Sequence, residues 1–295
     1  MEIRQLRYAV TLADQLHFGR AAEREHIVQS ALSQQIRRLE REIGARLFDR
    51  NTHQVSLTLA GRVFIAEAQR ILRHLDRAAA MARHAVAEHP VLRLGFTEAS
   101  YEHIPAVVET VVAEHPGLHV HQRMMSLPQQ FEALDRGYLD IGVGLARFAP
   151  AEISTARLAL DPAGVFVGTK HPWASLRSIP VRELRSVILL RGDGDQAPEY
   201  NDFVVELCGR EGFSPNTRPG SVDGVRAAID LVQREDVAFC APRAVWPHAP
   251  HVRWVALADP VVHYKQSVLW RAGNPSPLVH SFVRHSRELA SRTLP

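Results

Sequence analysis

The sequence predicts an α/β protein whose N-terminal third is all-helical apart from one small hairpin. Three observations predict it. Apolar residues recur at a helical period through roughly the first ninety residues, one unbroken helical stretch runs from Thr58 to about Glu88, and after Pro90 short apolar strands alternate with helices.

In chain order, Ile3, Leu6, Val10, Ala13 and Leu16 place an apolar stripe on a first helix, and Arg20 to Glu23 fit a short second one. Leu32, Ile36, Leu39 and Ile43 stripe a third, from about Gln29 to Ile43. The junction Glu25 to Val28 is brief, so the last two helices must meet steeply, as in a helix-turn-helix. Alternation at Leu47 to Arg50 and Val55 to Thr58, around the polar turn Asn51 to Gln54, predicts a hairpin wing. Thr58 is a fitting N-cap for the long helix, which has no proline and, beyond Gly61 in its first turn, no turn signal. Along it Phe64, Ala68, Ile71, Leu75, Ala78, Ala82 and Ala85 alternate four- and three-residue steps, the spacing of a coiled-coil seam. So many alanines adhere weakly, which predicts close packing against a second copy reinforced by contacts elsewhere. A helix lying on its own domain is the plainer alternative.

Pro90 ends that helix. Val91 to Phe96, His119 to Met125, Asp140 to Gly144, Gly164 to Gly168, Val187 to Leu190 and Val237 to Cys240 read as short, mostly buried strands, with helices such as Ile104 to His115 and Gln129 to Arg136 between them. This alternation predicts a parallel-sheet α/β body. Two later strands, Val252 to Leu257 and Tyr264 to Trp270, and a final helix from about Ser276 to Ala290 can return to the first half of the sheet. Two lobes follow, crossed by the chain near Leu160 to Pro162 and near Val261 to Lys265. The expected domains are a helical head with its wing over 1–58, a linking helix over 59–89 and the α/β body over 90–295. Its first lobe is about 90–161 with 266–295, and its second about 162–265.

Composition narrows the function. A chain of 295 residues, 46% of them hydrophobic, has length for two domains and a core in each. No apolar run approaches the ~18 residues of a spanning helix, and Met1 to Arg7 lacks the apolar core of a secretory signal. The expected location is therefore the cytoplasm, with no membrane partner. Cys208 and Cys240 lie far apart without metal-type spacing, so free thiols are expected rather than a disulfide framework or zinc ribbon, and redox sensing by either stays open. The net charge of +3 hides an asymmetry. Residues 1–87 hold 14 arginines and no lysine against nine acidic residues, while the remainder has 21 basic and 23 acidic. A basic head on a slightly acidic body points to polyanion binding by the head and another task for the body; a solvated basic surface is the plainer reading of charge alone.

On the Gln29 to Ile43 helix the apolar stripe leaves Gln29, Ser30, Ser33, Gln34, Arg37, Arg38 and Arg41 on the remaining faces. Glutamine pairs bidentately with adenine, arginine with guanine and serine with several base edges, so this face suits a DNA major groove, read from its N-terminal turns. The runs Leu16-His17-Phe18-Gly19-Arg20-Ala21-Ala22-Glu23 and Gln29-Ser30-Ala31-Leu32-Ser33-Gln34-Gln35-Ile36-Arg37-Arg38-Leu39-Glu40, with Gly44, Leu47-Phe48-Asp49-Arg50 and Leu57-Thr58-Leu59-Ala60-Gly61, resemble the LysR-type transcriptional regulators. These motifs cover about a quarter of the chain closely, and the remainder is similar to that family's effector-binding domain in layout. The resemblance implies a winged helix-turn-helix, a dimerising linker helix, and a two-lobed body like the periplasmic binding proteins that senses a small molecule. It implies contacts to bases or nearby backbone from Gln29, Ser30 and Ser33. Gln34, at a position often arginine in the family, alters the base read there, and Arg37 shares the face. Arg4, Arg20, Arg38, Arg50 and His53 are its phosphate-contacting candidates. His17 replaces the commoner Ser or Thr, which predicts a weaker helix cap, and Val28 stands where a small residue is usual.

In a body of that architecture, ligands sit between lobes, at loops after strand ends and at helix N-termini whose free amides favour anions. Thr97, Ser100, Ser126 and Arg147 in the first lobe and Arg191 in the second are the matching positions for a small effector, a carboxylate among the candidates. Capping serines and a surface arginine are the plainer readings. Gly192 to Ala197 formally fits a Gly-x-Gly-x-x-Ala dinucleotide fingerprint, but Asp193 and Asp195 would repel a pyrophosphate and Pro198 follows at once, so a loop facing the cleft is expected. Among 16 histidines, His119 and His121 share a strand face near His115, and His248 lies near His251, without completing a metal set. The chain has no Gly-x-Ser-x-Gly elbow, His-Glu-x-x-His or phosphate-binding lysine motif, so neither catalysis nor a cofactor is expected. The expected function is sequence-specific, effector-controlled regulation by a homodimer or homotetramer on double-stranded operator DNA, with RNA polymerase a further partner. A cytosolic metabolite-binding module without a primary DNA role is the rival, and an enzyme on the α/β body a third reading.

Overall fold

Three helices, α1 (Ile3–Gln15), α2 (Phe18–Arg24) and α3 (Gln29–Ile43), enclose Tyr8, Ala9, Leu12, Ala21, Ala22, Leu32, Ile36 and Leu39 in the computed structural model, which describes all residues except 52–53, 86–88, 148, 235, 246–249 and 293–295. The stripe expected on α1 is rotated. Ile3 and Leu16 are exposed, and the buried face is Gln5, Leu6, Tyr8, Ala9, Thr11 and Leu12. Polar residues can occupy it because they are paired: Gln5 Nε2 donates to Gln35 Oε1 at 3.3 Å and the Thr11 hydroxyl to Glu25 Oε1 at 2.5 Å. Gly44, at φ +77°, ends α3 in the left-handed conformation that glycine adopts without a Cβ penalty.

The wing is β1 (Phe48–Asn51) antiparallel to β2 (Gln54–Leu57), with Phe48 opposite Leu57; part of its turn lies outside the described residues. One Glu40 carboxylate oxygen accepts the amides of Leu47 and Phe48 at 2.9 and 3.1 Å, tying the wing to α3. Helix α4 (Leu59–Ala85) begins where Thr58 accepts the Gly61 N–H at 2.9 Å, the cap its sequence predicts. Ile65 and Ala68 seat the first turns in the head, whereas Ile71, Leu75, Ala78 and Ala82 are exposed along the predicted seam. This first compact unit spans Met1–Arg83 and the second His84–Pro295.

The second unit runs β3 (Val91–Phe96), α5 (Ile104–Glu114), β4 (His119–Met124), α6 (Leu127–Asp135), β5 (Ile141–Gly144), β6 (Ile153–Gly168), β7 (Ser178–Pro180), β8 (Ile188–Leu189), α7 (Pro198–Arg210), α8 (Val225–Arg234), β9 (Val237–Pro242), β10 (Val252–Ala258), β11 (His263–Arg271) and α9 (Pro277–Arg292). Its sheets are mixed rather than all parallel. In the first lobe β4, β3 and β5 are parallel neighbours and β11 and β6 complete the order antiparallel. In the second, β6 lies antiparallel between β9 and β10, each of which takes one parallel edge strand, β8 and β7. Strands β6 and β11 pair continuously from Ile153–Arg271 to Pro162–His263, with a bulge at Gln266/Ser267, so the chain passes between lobes along a two-stranded antiparallel ribbon. The mixed pairing follows, because β6 runs from the first lobe into the second and β11 returns antiparallel beside it. Strand β4 is mostly exposed, against the buried strand expected; it is a sheet edge that sets His119, His121, Gln122 and Arg123 at the surface. Among the described residues no helix is long and apolar enough to cross a membrane.

A titratable tie holds the ribbon at Asp161. His103, ending the 3-10 turn Glu98–His103 after β3, places Nε2 at 2.8 and 3.0 Å from the two carboxylate oxygens of Asp161 on β6. Burial disfavours the charged ring, but the hydrogen bond and charge of Asp161, with Glu102 adding, outweigh it and raise the His103 pKa. A raised folded-state pKa stabilises fully below the ordinary histidine range and ceases to as pH rises through the raised value. His103→Gln is therefore expected to cost more unfolding free energy at pH 5.5 than at pH 8.5, roughly one and two units either side of that range, read by urea denaturation. An equal cost at both pH values would refute the tie.

Candidate nucleic-acid interface and ligand cleft

The exposed side of α3 is built by the apolar side. Leu32, Ile36 and Leu39 are fully enclosed, which leaves Gln29, Ser30, Gln34 and Arg37 exposed and Ser33 half-buried along one edge. None of these five side chains makes a hydrogen bond or ion pair among the described residues. The neighbouring cations are engaged. Arg38 pairs with Glu42 at 3.0 Å and Glu2 at 3.7 Å, and Arg20 donates to the Gln15 carbonyl at 2.7 Å. Arg4 is exposed on α1, Arg50 falls on β1, and His53 lies outside the described residues. Arg41 and Arg46, the latter missed in the sequence, border a hollow with Gln34 and Arg37 between α3 and the base of the wing. The weaker cap expected at His17 is corrected: its Nδ1 accepts the amides of Gly19 at 3.1 Å and Arg20 at 3.3 Å, as a serine would. Gly19 helps, since a Cβ there would meet the ring at 3.0 Å.

Between the lobes of the second unit lies a cavity of about 260 Å3, near the lower end for small-molecule sites. Thr97, Met124, Met125 and Ser126 line it from the first lobe; Arg191, Glu199, Tyr200, Phe239 and Val245 line it from the second, with Tyr264 of the ribbon. Of the positions expected to hold an effector, Thr97, Ser126 and Arg191 are here and two are not. Ser100 is fully buried, its hydroxyl 2.9 Å from the Thr97 carbonyl and 3.0 Å from the Val143 carbonyl, locking the turn after β3. Arg147 is paired with Glu206, because α7 sets that carboxylate opposite it, and borders a separate hollow with Arg210. Ser126 caps α6 at Gln129, whose side chain accepts the Ser126 amide at 3.1 Å.

Sequence reasoning missed two acids. Glu98 accepts the Val225 amide at 2.9 Å, so a first-lobe carboxylate caps α8 of the second lobe. Glu199, in the first turn of α7, is 7% exposed with Oε2 enclosed and unpartnered; burial, aided by Asp202, pushes its carboxyl up to about 7. Each directly follows a position already singled out, Thr97 and the Gly192 to Pro198 loop, and that adjacency was the available signal. In that loop Asp193 accepts the amides of Asp195 and Gln196 at 2.9 and 3.0 Å, taking the donors a pyrophosphate would use, while Gly192, Gln196 and Ala197 face the cleft as expected. Cys240 lines the cleft and Cys208 is buried nearby in the same core; burial pushes them up to about 12 and about 11, so both stay protonated at neutral pH. His119 and His121 stand on edge strand β4, and His115 Nε2 lies 3.9 Å from Glu114. His248 lies outside the described residues, among which no three His, Cys, Asp or Glu side chains gather for a metal.

Two family models match in series: "Bacterial regulatory helix-turn-helix protein, lysR family" over residues 3–62 and "LysR substrate binding domain" over residues 86–291. The HTH-type transcriptional regulator YnfL of Escherichia coli, itself uncharacterised, is 39% identical over 97% of this chain and 97% of its own length. The HTH-type transcriptional regulator AlsR of Bacillus subtilis is 29% identical over 99% and 98%. Among solved structures, full-length CbnR in complex with its target DNA superposes with a TM-score of 0.63 at 24% identity, over 98% of this chain and all of that one, a likeness of fold.

Proposed function

The chain belongs to the LysR family of transcriptional regulators, and on that premise we propose how its two units divide the work. It is a DNA-binding regulator with an effector-binding body. Helix α3 enters the major groove and reads base edges with Gln29, Ser30, Ser33, Gln34 and Arg37, while Arg4, Arg20, Arg38, Arg50 and His53 set its register on phosphates. The observation that carries this reading is the row of five uncommitted polar side chains on α3, beside arginines already tied to the head. A second copy covers Ile71, Leu75, Ala78 and Ala82 on α4, and the paired heads straddle an interrupted palindrome as a dimer or a pair of dimers. The functional divisions are a head over 1–58, a linker over 59–89 and a body over 90–295 whose lobes meet at the ribbon.

A small effector enters the cleft and favours one lobe arrangement over another, with the Glu98 to Val225 bond among the contacts that differ between them. The change passes through α4 to the spacing of the heads and so to DNA bend and RNA polymerase access. The protein acts in the cytoplasm and regulates rather than catalyses.

Fluorescence anisotropy of the full chain on DNA from upstream of its own gene, against a scrambled duplex across a salt series, tests the reading. Tight binding is expected only to the upstream duplex, weakening steeply with salt as releasing counterions into a saltier solution gains less entropy. Equal, weak binding to both duplexes would favour a metabolite-binding module instead.

A further inference from the structure

We propose that the cleft selects an organic cation, a primary or secondary amine on an apolar or aromatic body, whose nitrogen is held by the Glu199 carboxylate. This rests on the reading of the cleft as the effector site and names the chemistry that site takes. Glu199 is more than nine-tenths buried, lines the cavity, and has one oxygen enclosed without a donor. Ionised, that oxygen needs a donor, which a bound ammonium supplies while its charge offsets the burial that disfavours the carboxylate. Gln266, two residues beyond Tyr264 on the ribbon, has the same deficit: Nε2 donates to the Ala99 carbonyl at 2.7 Å while Oε1, fully buried, finds no donor.

Three places an anion would use are already filled by the chain. Glu98 occupies the N-terminus of α8, Ser126 and Gln129 close that of α6, and Asp193 takes the loop amides. Charge agrees: among the described residues Glu98, Glu199 and Asp223 line the cleft against one cation, Arg191. The remaining wall suits an apolar body bearing a cation: the rings of Tyr200 and Phe239 lie 5.6 Å apart, with Met124, Met125 and Val245 nearby. The carboxylate effector expected from the sequence would meet these acids, with Arg191 as its charged partner.

Isothermal titration calorimetry on the full chain decides it, with 2-phenylethylamine, 2-phenylethanol and phenylacetate as one matched set and butylamine with butyrate as another. The amines are expected to bind, 2-phenylethylamine at least tenfold tighter than its alcohol and acid. Glu199→Gln, nearly isosteric, should weaken the amines at least tenfold, leave 2-phenylethanol unchanged and keep the wild-type unfolding midpoint. Met124→Trp, which crowds the cleft at an exposed position, should weaken every probe. Carboxylates binding more tightly than amines, or no binding of either amine, overturns the cation class; amine binding indifferent to Glu199→Gln overturns that residue's role. Binding indifferent to Met124→Trp overturns the cleft reading itself.

Discussion

Replacing Arg37 and Ser33 together by alanine is expected to abolish sequence-specific DNA binding and leave the oligomer intact. A good bidentate base contact discriminates by ~1–3 kcal/mol, so losing Arg37 with the smaller serine contact removes about 3 kcal/mol, a factor of roughly a hundred or more. The paired heads lose it at both half-sites, about 6 kcal/mol, which is most of the ~4–10 kcal/mol separating specific from non-specific binding. The fold has no stake in either side chain. Arg37 is exposed and uncommitted, Ser33 is half-buried without a partner, and alanine is the better helix former at both positions. Anisotropy on specific and scrambled duplexes should converge to one weak isotherm, while light scattering and the unfolding midpoint stay at wild-type values. Arg38→Ala, freeing Glu2 and leaving Glu42 to the N-terminal amine alone, should instead weaken both duplexes alike and flatten the salt slope by about one. If the double variant loses its oligomeric state, the reading face lies elsewhere.

The head was legible because its elements are local. The period of Leu32, Ile36 and Leu39 places the core side of α3, and the polar face follows from what remains. The phase of α1 was not legible, because Gln5 and Thr11 are buried by partners 30 and 14 residues away, and no hydropathy pattern carries that information. His17 shows a related gap: residue preference marks histidine as a poor cap, but one ring nitrogen over Gly19 supplies the same acceptor. In the body, strands were read more securely than their directions, since parallel or antiparallel pairing depends on the ribbon of β6 and β11, joined across a hundred residues. The cleft was legible as loops after strands, but not the occupation of those loops. Ser100 turned inward to the Val143 carbonyl and Arg147 met the Glu206 side chain, and both partners belong to other elements. Glu199 sits next to the predicted loop, yet only its burial distinguishes it from a solvated acid in a first helical turn.

Gly61→Ala is expected to destabilise the head by about 3 kcal/mol, the upper end of typical overpacking, and to impair DNA binding with it. In an ordinary helix the same change stabilises by up to ~1 kcal/mol, because glycine loses more backbone freedom on folding. Here the contact decides the sign. A Cβ on Gly61 would lie 2.0 Å from the Leu47 carbonyl oxygen, 2.9 Å from its carbon and 3.1 Å from Leu57 Cδ2. The carbonyl cannot turn aside, since it already accepts the Thr58 amide at 3.0 Å and the Thr58 hydroxyl at 3.3 Å, and its residue is held from the other side by Glu40. The first turn of α4 must therefore move off the wing, which loosens Ile65 and Ala68 from the core and tilts the linker against α3. Gly209→Ala, in α7 with nothing within 4 Å of the added carbon, provides the opposite case and should stabilise slightly. Chemical denaturation followed by probes in each unit should show the head's transition falling in Gly61→Ala and the body's unmoved. An unchanged head transition would mean that α4 does not begin seated on Leu47, and that the glycine there serves the chain in some other way.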